Sequence, residues 1–227
     1  MKKVNDILDA AAADGRRQLS EYRSKQLLSA YGIPVTREEL VSSRDEALSA
    51  AARIGYPVVL KACSDEIAHK TESGLIAVDL RDEEELAAAF ARMQESIENH
   101  PVDFLVQELV AGSRELVMGM TRDAQFGPCV MFGLGGIFTE ALGDVSFRAA
   151  PLSRVDAFEM MQEIRGKKIL SDFRGMPAAD LKALAECLLA LGEIGLQHER
   201  IREIDINPLI LRGKSPIAVD ALIVLNG

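Results

Sequence analysis

Histidine and cysteine are scarce in this 227-residue chain, three of each, and neither type gathers into a cluster. Cys63, Cys129 and Cys187 stand singly with no CxxC pair, which fits reduced thiols in a cytoplasmic protein rather than a disulfide framework. No second His or Cys stands at metal-ligand spacing from His69, so a zinc centre is not expected. Positive charge is in deficit: 26 Lys and Arg against 35 Asp and Glu leave a net charge of −9. That balance argues against nucleic acid or an acidic membrane surface as the main partner, while leaving room for a local basic pocket that takes phosphates. No apolar run approaches the roughly 20 residues that span a bilayer. In the opening stretch MKKVNDILDAAAADG, Asp6, Asp9 and Asp14 interrupt any signal-like core. Internal repeats, low-complexity tracts, a GK[ST] phosphate loop and GxGxxG are all missing as well.

What is present is ordinary for a soluble globular protein, 48% hydrophobic and 27% charged, and long enough for one large or two small domains with real cores. Apolar spacing predicts helices over 4–13, 20–31, 43–54, 82–97, 153–164 and 180–194. Ser20, Ser43, Asp82, Ser153 and Asp180 stand at their starts as caps. Between them lie short strand-like runs over 34–41, 58–61, 74–80, 103–110, 115–121, 129–132 and 146–150. Several strands follow one another directly, which predicts an α+β fold with antiparallel sheets rather than a doubly wound sheet. Asn99–Asp103 is the expected boundary between two lobes.

The most informative stretch is Ile201–Leu225. Ile204 and Ile206 alternate with Glu203, Asp205 and Asn207, so one face is apolar and the other carries side-chain oxygens. With Gly213-Lys214 as a two-residue hairpin loop, Asn207 falls directly opposite Asp220. A carboxylate and an amide oxygen facing one spot suit a hard cation such as Mg²⁺, with waters and phosphates as its other ligands. An ordinary hairpin with its polar face in water is the competing explanation.

Elsewhere the residues leave alternatives open. Lys61, at the end of an apolar strand, is either a phosphate-binding point charge or a lysine surfacing as the strand ends. Gly133, Gly135 and Gly136 either let backbone N–H groups approach a phosphate or simply end a strand. Glu108 and Glu115 flank a loop that either presents main-chain groups to a planar base or forms a solvated edge. His69, in a polar stretch, is either a base, nucleophile or ligand, or an exposed loop residue.

Taken in order, GYPVVLK (55–61), QELVAGSREL (107–116) and EIDINPL (203–209), followed by a late strand aspartate, resemble the ATP-grasp nucleotide-binding fold. AHKTESG (68–74), FGPCVMFGLGGIFTE (126–140) and the Phe147-Arg148 to Pro151-Leu152 run look more closely like the ATP-grasp β subunit of ADP-forming acyl-CoA synthetases, relatives of succinyl-CoA synthetase. The likeness covers about 19–224. It implies two α+β lobes with antiparallel sheets sandwiching a nucleotide: a helical extension over 1–20, one lobe over 21–102 and the other over 103–227. The implied reaction interconverts acyl-CoA, phosphate and ADP with the free acid, CoA and ATP. A phosphohistidine carries the phosphoryl group, and a CoA-binding α subunit is the partner in a hetero-oligomer such as α2β2.

By that resemblance His69, followed by Lys70 and Thr71, is the catalytic relay histidine. Lys61 is the nucleotide-phosphate lysine, Glu108, Leu109 and Val110 the hinge around adenine and ribose, and Glu115 the acid that follows. Asn207 and Asp220 are the Mg²⁺ ligands, with Asp205 beside them, and Gly135, Gly136 and Arg148 are phosphate-side contacts. The cofactors implied are Mg²⁺ and ATP or ADP. A different ATP-grasp carboxylate ligase, or a nucleotide-sensing module without turnover, are the competing functions.

Overall fold

The computed structural model describes residues 2–63, 75–97, 102–136, 143–172 and 175–226. Two compact units emerge, one formed by 1–35 with 110–227 and the other by 36–109. Both are α+β with antiparallel pairing.

The larger unit opens with α1 (Lys2–Ala13), β1 (Gln18–Leu19) and α2 (Glu21–Ala30), the last capped by Ser20, whose side chain accepts from the Arg23 amide. It resumes with β6 (Glu115–Asp123), β7 (Gly127–Leu134), β8 (Val145–Ala149) and α5 (Arg154–Glu163), which a Ser153/Asp156 capping box starts. A 3-10 turn over Lys167–Leu170 leads to α6 (Leu181–Gln197). The chain closes with β9 (Ile201–Arg212), β10 (Ser215–Ala218) and β11 (Ala221–Leu225). These strands form a sheet in the order β1-β11-β9-β6-β7-β8, with β10 continuing the β11 edge along β9. One face of the sheet is apolar: Leu116, Met118, Val130, Phe132, Ile204, Ile206 and Ile223 share a core with Met160, Leu184, Leu188 and Leu191 of the two long helices. Removing such side chains from water is the main stabilising term for the unit.

The smaller unit contains β2 (Glu38–Val41), α3 (Arg44–Ile54), β3 (Val58–Cys63), β4 (Ile76–Leu80), α4 (Glu83–Ser96) and β5 (Asp103–Glu108). Its sheet runs β2-β5-β3-β4, covered by α3 and α4, whose Ala47, Ala50, Leu86 and Phe90 share a core with Phe104 of β5.

The unit boundaries differ from those expected. The segment after Asn99 looks like a lobe boundary in the sequence, but β5 is an inner strand paired with both β2 and β3, so the smaller unit runs on through Leu109. At the other end, residues 1–35 are not an appendage. β1 pairs with β11, and α1 and α2 bury Val4, Leu8, Leu27 and Leu28 in the larger unit's core.

Candidate functional site

The hairpin forms in the expected register. Arg212 pairs with Ser215, Leu209 with Ala218, Ile206 with Ala221 and Asp205 with Leu222. Gly213 takes the left-handed φ of 62°, as the first position of a tight hairpin loop requires. Val219 and Asp220 interrupt the ladder between β10 and β11, and the flanking pairs leave Asn207 and Asp220 facing each other. Because Ile204, Ile206, Ala221 and Ile223 point into the core, the alternating Asp205, Asn207 and Asp220 lie on the opposite face. Gly119 is the cross-strand neighbour of Asp205, and a Cβ there would stand 2.7 Å from the Ile204 carbonyl.

Burial pushes the Asp205 carboxyl up to about 6, and the neighbouring charges of Glu203 and Asp220 add to the shift. Two carboxylates that repel each other beside an amide form an oxygen donor set of the kind Mg²⁺ takes, with waters and phosphates completing its shell. Among the described residues no group of three His, Cys, Asp or Glu gathers around a point, so the set is two carboxylates and an amide rather than an all-protein cage.

Glu115 begins β6 on the same face. Its carbonyl accepts from the Gly135 amide at 2.9 Å, and a Cβ on Gly136 would lie 2.6 Å from its carboxylate. The two glycines therefore do more than end a strand: they let the chain close over Glu115 and Leu116, and Gly136 takes φ of 64°. Glu115, Gly135 and Gly136 are thus brought together. Gly135 spends its amide on that bond, and the Leu134 amide donates to the Asp144 carbonyl at 3.3 Å.

Arg148 is not brought to this group. It pairs with Val130, whose side chain lies in the helix-covered core, so Arg148 sits on the other face of the sheet from Asp205. It makes two hydrogen bonds to Glu163 of α5, at 2.5 and 3.0 Å.

In the smaller unit Lys61 departs from the expected position. β3 continues two residues further, to Cys63, and Lys61 is an inner-strand residue only 4% exposed, so it does not surface at a strand end. Glu108 is also buried, and its carboxylate accepts from the Arg37 amide and Nε, both at 3.0 Å. That partner, 71 positions away in sequence, left no sequence signal. The Leu109 amide donates to the Pro57 carbonyl at 3.2 Å. Val110, where the chain re-enters the larger unit, packs with Ile210 and Ile217, leaving its main chain rather than its side chain for recognition. His69, Lys70 and Thr71 lie outside the described residues.

Each unit is thus α+β with an antiparallel sheet, the smaller carrying the buried Lys61 and the larger an acid–amide–acid face on its hairpin. The ATP-grasp domain family matches residues 10–225. Over 228 residues the chain is 40% identical to the β subunit of acetate–CoA ligase [ADP-forming] I from Pyrococcus furiosus, covering 98% of each. Acetyl-coenzyme A synthetase 1 of Ca. Korarchaeum cryptofilum, solved with coenzyme A and Ca-AMPCP, superposes with a TM-score of 0.93 at 43% identity over 97% of this chain and 99% of that one. Another structure of that protein, with coenzyme A and Mg-AMPPCP and its phosphohistidine segment pointing towards the nucleotide-binding site, matches with a TM-score of 0.89 at 43% identity, over 98% of this chain and all of that one. The chain belongs to the ATP-grasp family, among the nucleotide-binding β subunits of ADP-forming acyl-CoA synthetases.

Proposed function

We propose that this chain is the nucleotide-binding β subunit of an ADP-forming acyl-CoA synthetase, working in the cytoplasm with a CoA-binding α subunit in an assembly such as α2β2. The observation that carries the reading is the face shared by Asp205, Asn207 and Asp220, in a chain 40% identical to such a subunit along its length. In the ATP-forming direction the N–P bond of a phosphohistidine breaks. A terminal oxygen of the ADP β-phosphate takes the phosphoryl group, the ring nitrogen keeps the bonding pair and takes up one proton from solvent, and neutral imidazole and ATP result. His69 is the relay histidine on this chain.

The transfer asks the protein for alignment and charge balance rather than covalent chemistry of its own. Lys61 offers a point charge to the nucleotide phosphates. The Glu108–Val110 segment offers main-chain groups to the base, and the ribose hydroxyls meet a carboxylate already shared with Arg37. Asn207, Asp220 and Asp205 would hold magnesium, which would supply neutralisation of phosphate charge. Glu115 and the Gly135-Gly136 turn shape the neighbouring face.

The test is incubation of the chain with Mg²⁺ and γ-labelled ATP, with and without an α subunit. Acid-labile label on His69 that ADP chases back to ATP is the expected result. Tight nucleotide binding with no label under either condition would overturn the relay in favour of a carboxylate ligase or a nucleotide sensor, and so would full turnover by His69→Ala.

A further inference from the structure

Helix α2 carries a charged pair with almost no access to water: the side chains of Lys25 and Glu21 are 0% and 2% exposed, and Lys25 Nζ lies 2.9 Å from Glu21 Oε1. An i,i+4 pair of this kind normally sits on a solvated helix face. Burying it costs several kcal/mol per ion before their attraction is counted, and apolar replacements are often as stable or more so. Fold stability is therefore a poor explanation for the pair, and a further contact of Lys25 suggests a better one.

Lys25 Nζ also donates to the carbonyl of Val219 at 3.2 Å. Val219 and Asp220 are the two residues that leave the ladder between β10 and β11. The contacts that hold this break come from two directions. The Val219 amide donates to the Pro208 carbonyl at 3.0 Å, next to Asn207. On the other side the N-terminal segment brackets it: the Ala218 amide donates to the Pro34 carbonyl at 2.8 Å, and Ser24 Oγ accepts from the Ile223 amide at 3.2 Å. The ammonium thus grips the residue immediately before Asp220, in the short link where β10 has ended and β11 has not yet begun.

We infer that the buried Glu21–Lys25 pair is a positioning device that fixes the Val219–Asp220 link, and with it the direction in which the Asp220 carboxylate meets a divalent cation opposite Asn207. Glu21 orients the ammonium and neutralises it, and Lys25 fixes the carbonyl. Neither touches the metal or the substrate. The inference rests on the reading of Asn207 and Asp220 as metal ligands.

The test uses the full-length chain, Mn²⁺ as the spin probe and AMPPCP as the nucleotide. The variants are Lys25→Met, the charge-neutral double variant Glu21→Gln/Lys25→Met, and Asp220→Asn as a reference. Thermal unfolding and circular dichroism report folding, and nucleotide binding is measured with and without metal. Loss of an outer partner of a metal ligand weakens metal affinity by about 10- to 100-fold. The expected result is a loss of that size in Mn²⁺ affinity for a folded double variant, with binding of metal-free AMPPCP unchanged. Wild-type Mn²⁺ affinity in a folded double variant, while Asp220→Asn loses it, would overturn the positioning role alone. Unchanged affinity in Asp220→Asn would remove the metal reading beneath it. Failure of both Lys25 variants to fold would make the pair a requirement of the fold, which also overturns the inference.

Discussion

At the scale of single residues, environment decides what a side chain can do. Lys61 and Lys25 are both buried lysines, yet one lies on an inner strand of the smaller unit while the other sits under a carbonyl in the larger. Asp205 and Glu203 differ in the same way. They lie two positions apart on one face, but Glu203 is exposed while Asp205 is half-buried, and burial pushes the Asp205 carboxyl up to about 6. Gly135 allows a direct test of close approach. A Cβ there would stand 2.8 Å from the Leu116 carbonyl and 2.9 Å from the Glu115 carbonyl carbon, backbone that cannot swing aside. Gly135→Ala is expected to cost about 1–3 kcal/mol, in line with other overpacked sites. Denaturant unfolding of the variant measures it, and an unchanged midpoint would mean the turn has room to shift.

At the scale of elements, the junction of α6 with β9 is held by polar groups that titrate. His198 caps α6 and is buried, and its Nε2 lies 2.7 Å from the Tyr31 hydroxyl of α2's C-cap. Arg122 of β6 donates to the carbonyls of Gly195, His198 and Ile201 around the same corner. Burial holds the His198 pKa below its ordinary 6.5, with Arg200 adding to the effect. The unfolded chain therefore binds this proton more readily than the folded one. The stability that the neutral ring contributes is complete above 6.5 and is lost as pH falls below it through the depressed folded value. Urea unfolding between pH 5 and 8 should show this slope in the wild type and a flatter one in His198→Gln, and equal slopes would assign the acid sensitivity to other groups.

For the whole molecule, two separate cores mean two separable stabilities. The larger unit is organised around α6 and the β6-β7-β9 face, and the smaller around Phe90 of α4, which packs against Phe104 at a ring distance of 4.4 Å. Phe90→Ala should cost about 3–5 kcal/mol. Hydrogen exchange should register the loss across 36–109 while amides of α6 and β9 keep their protection. Equal loss of protection in both units would show that they unfold as one. Among the described residues no helix is long and apolar enough to cross a membrane.

Much of this was written locally. Caps at Ser20, Ser43, Asp82, Ser153 and Asp180 start the helices they mark, because a cap needs only backbone donors two or three residues away. The hairpin register, and with it the meeting of Asn207 and Asp220, follows from a two-residue loop and a period of two, both readable in sequence. The tertiary structure decided what depends on distant partners. It buried Lys61 and the Glu21–Lys25 pair, joined Glu108 to Arg37, and turned Arg148 to Glu163 on the helix-covered face. It also placed β5 inside the smaller sheet and residues 1–35 in the larger unit. Hydrogen-bond periodicity is a property of a short segment, whereas the burial of a charge depends on which segments pack around it, and that is settled only when the chain closes on itself.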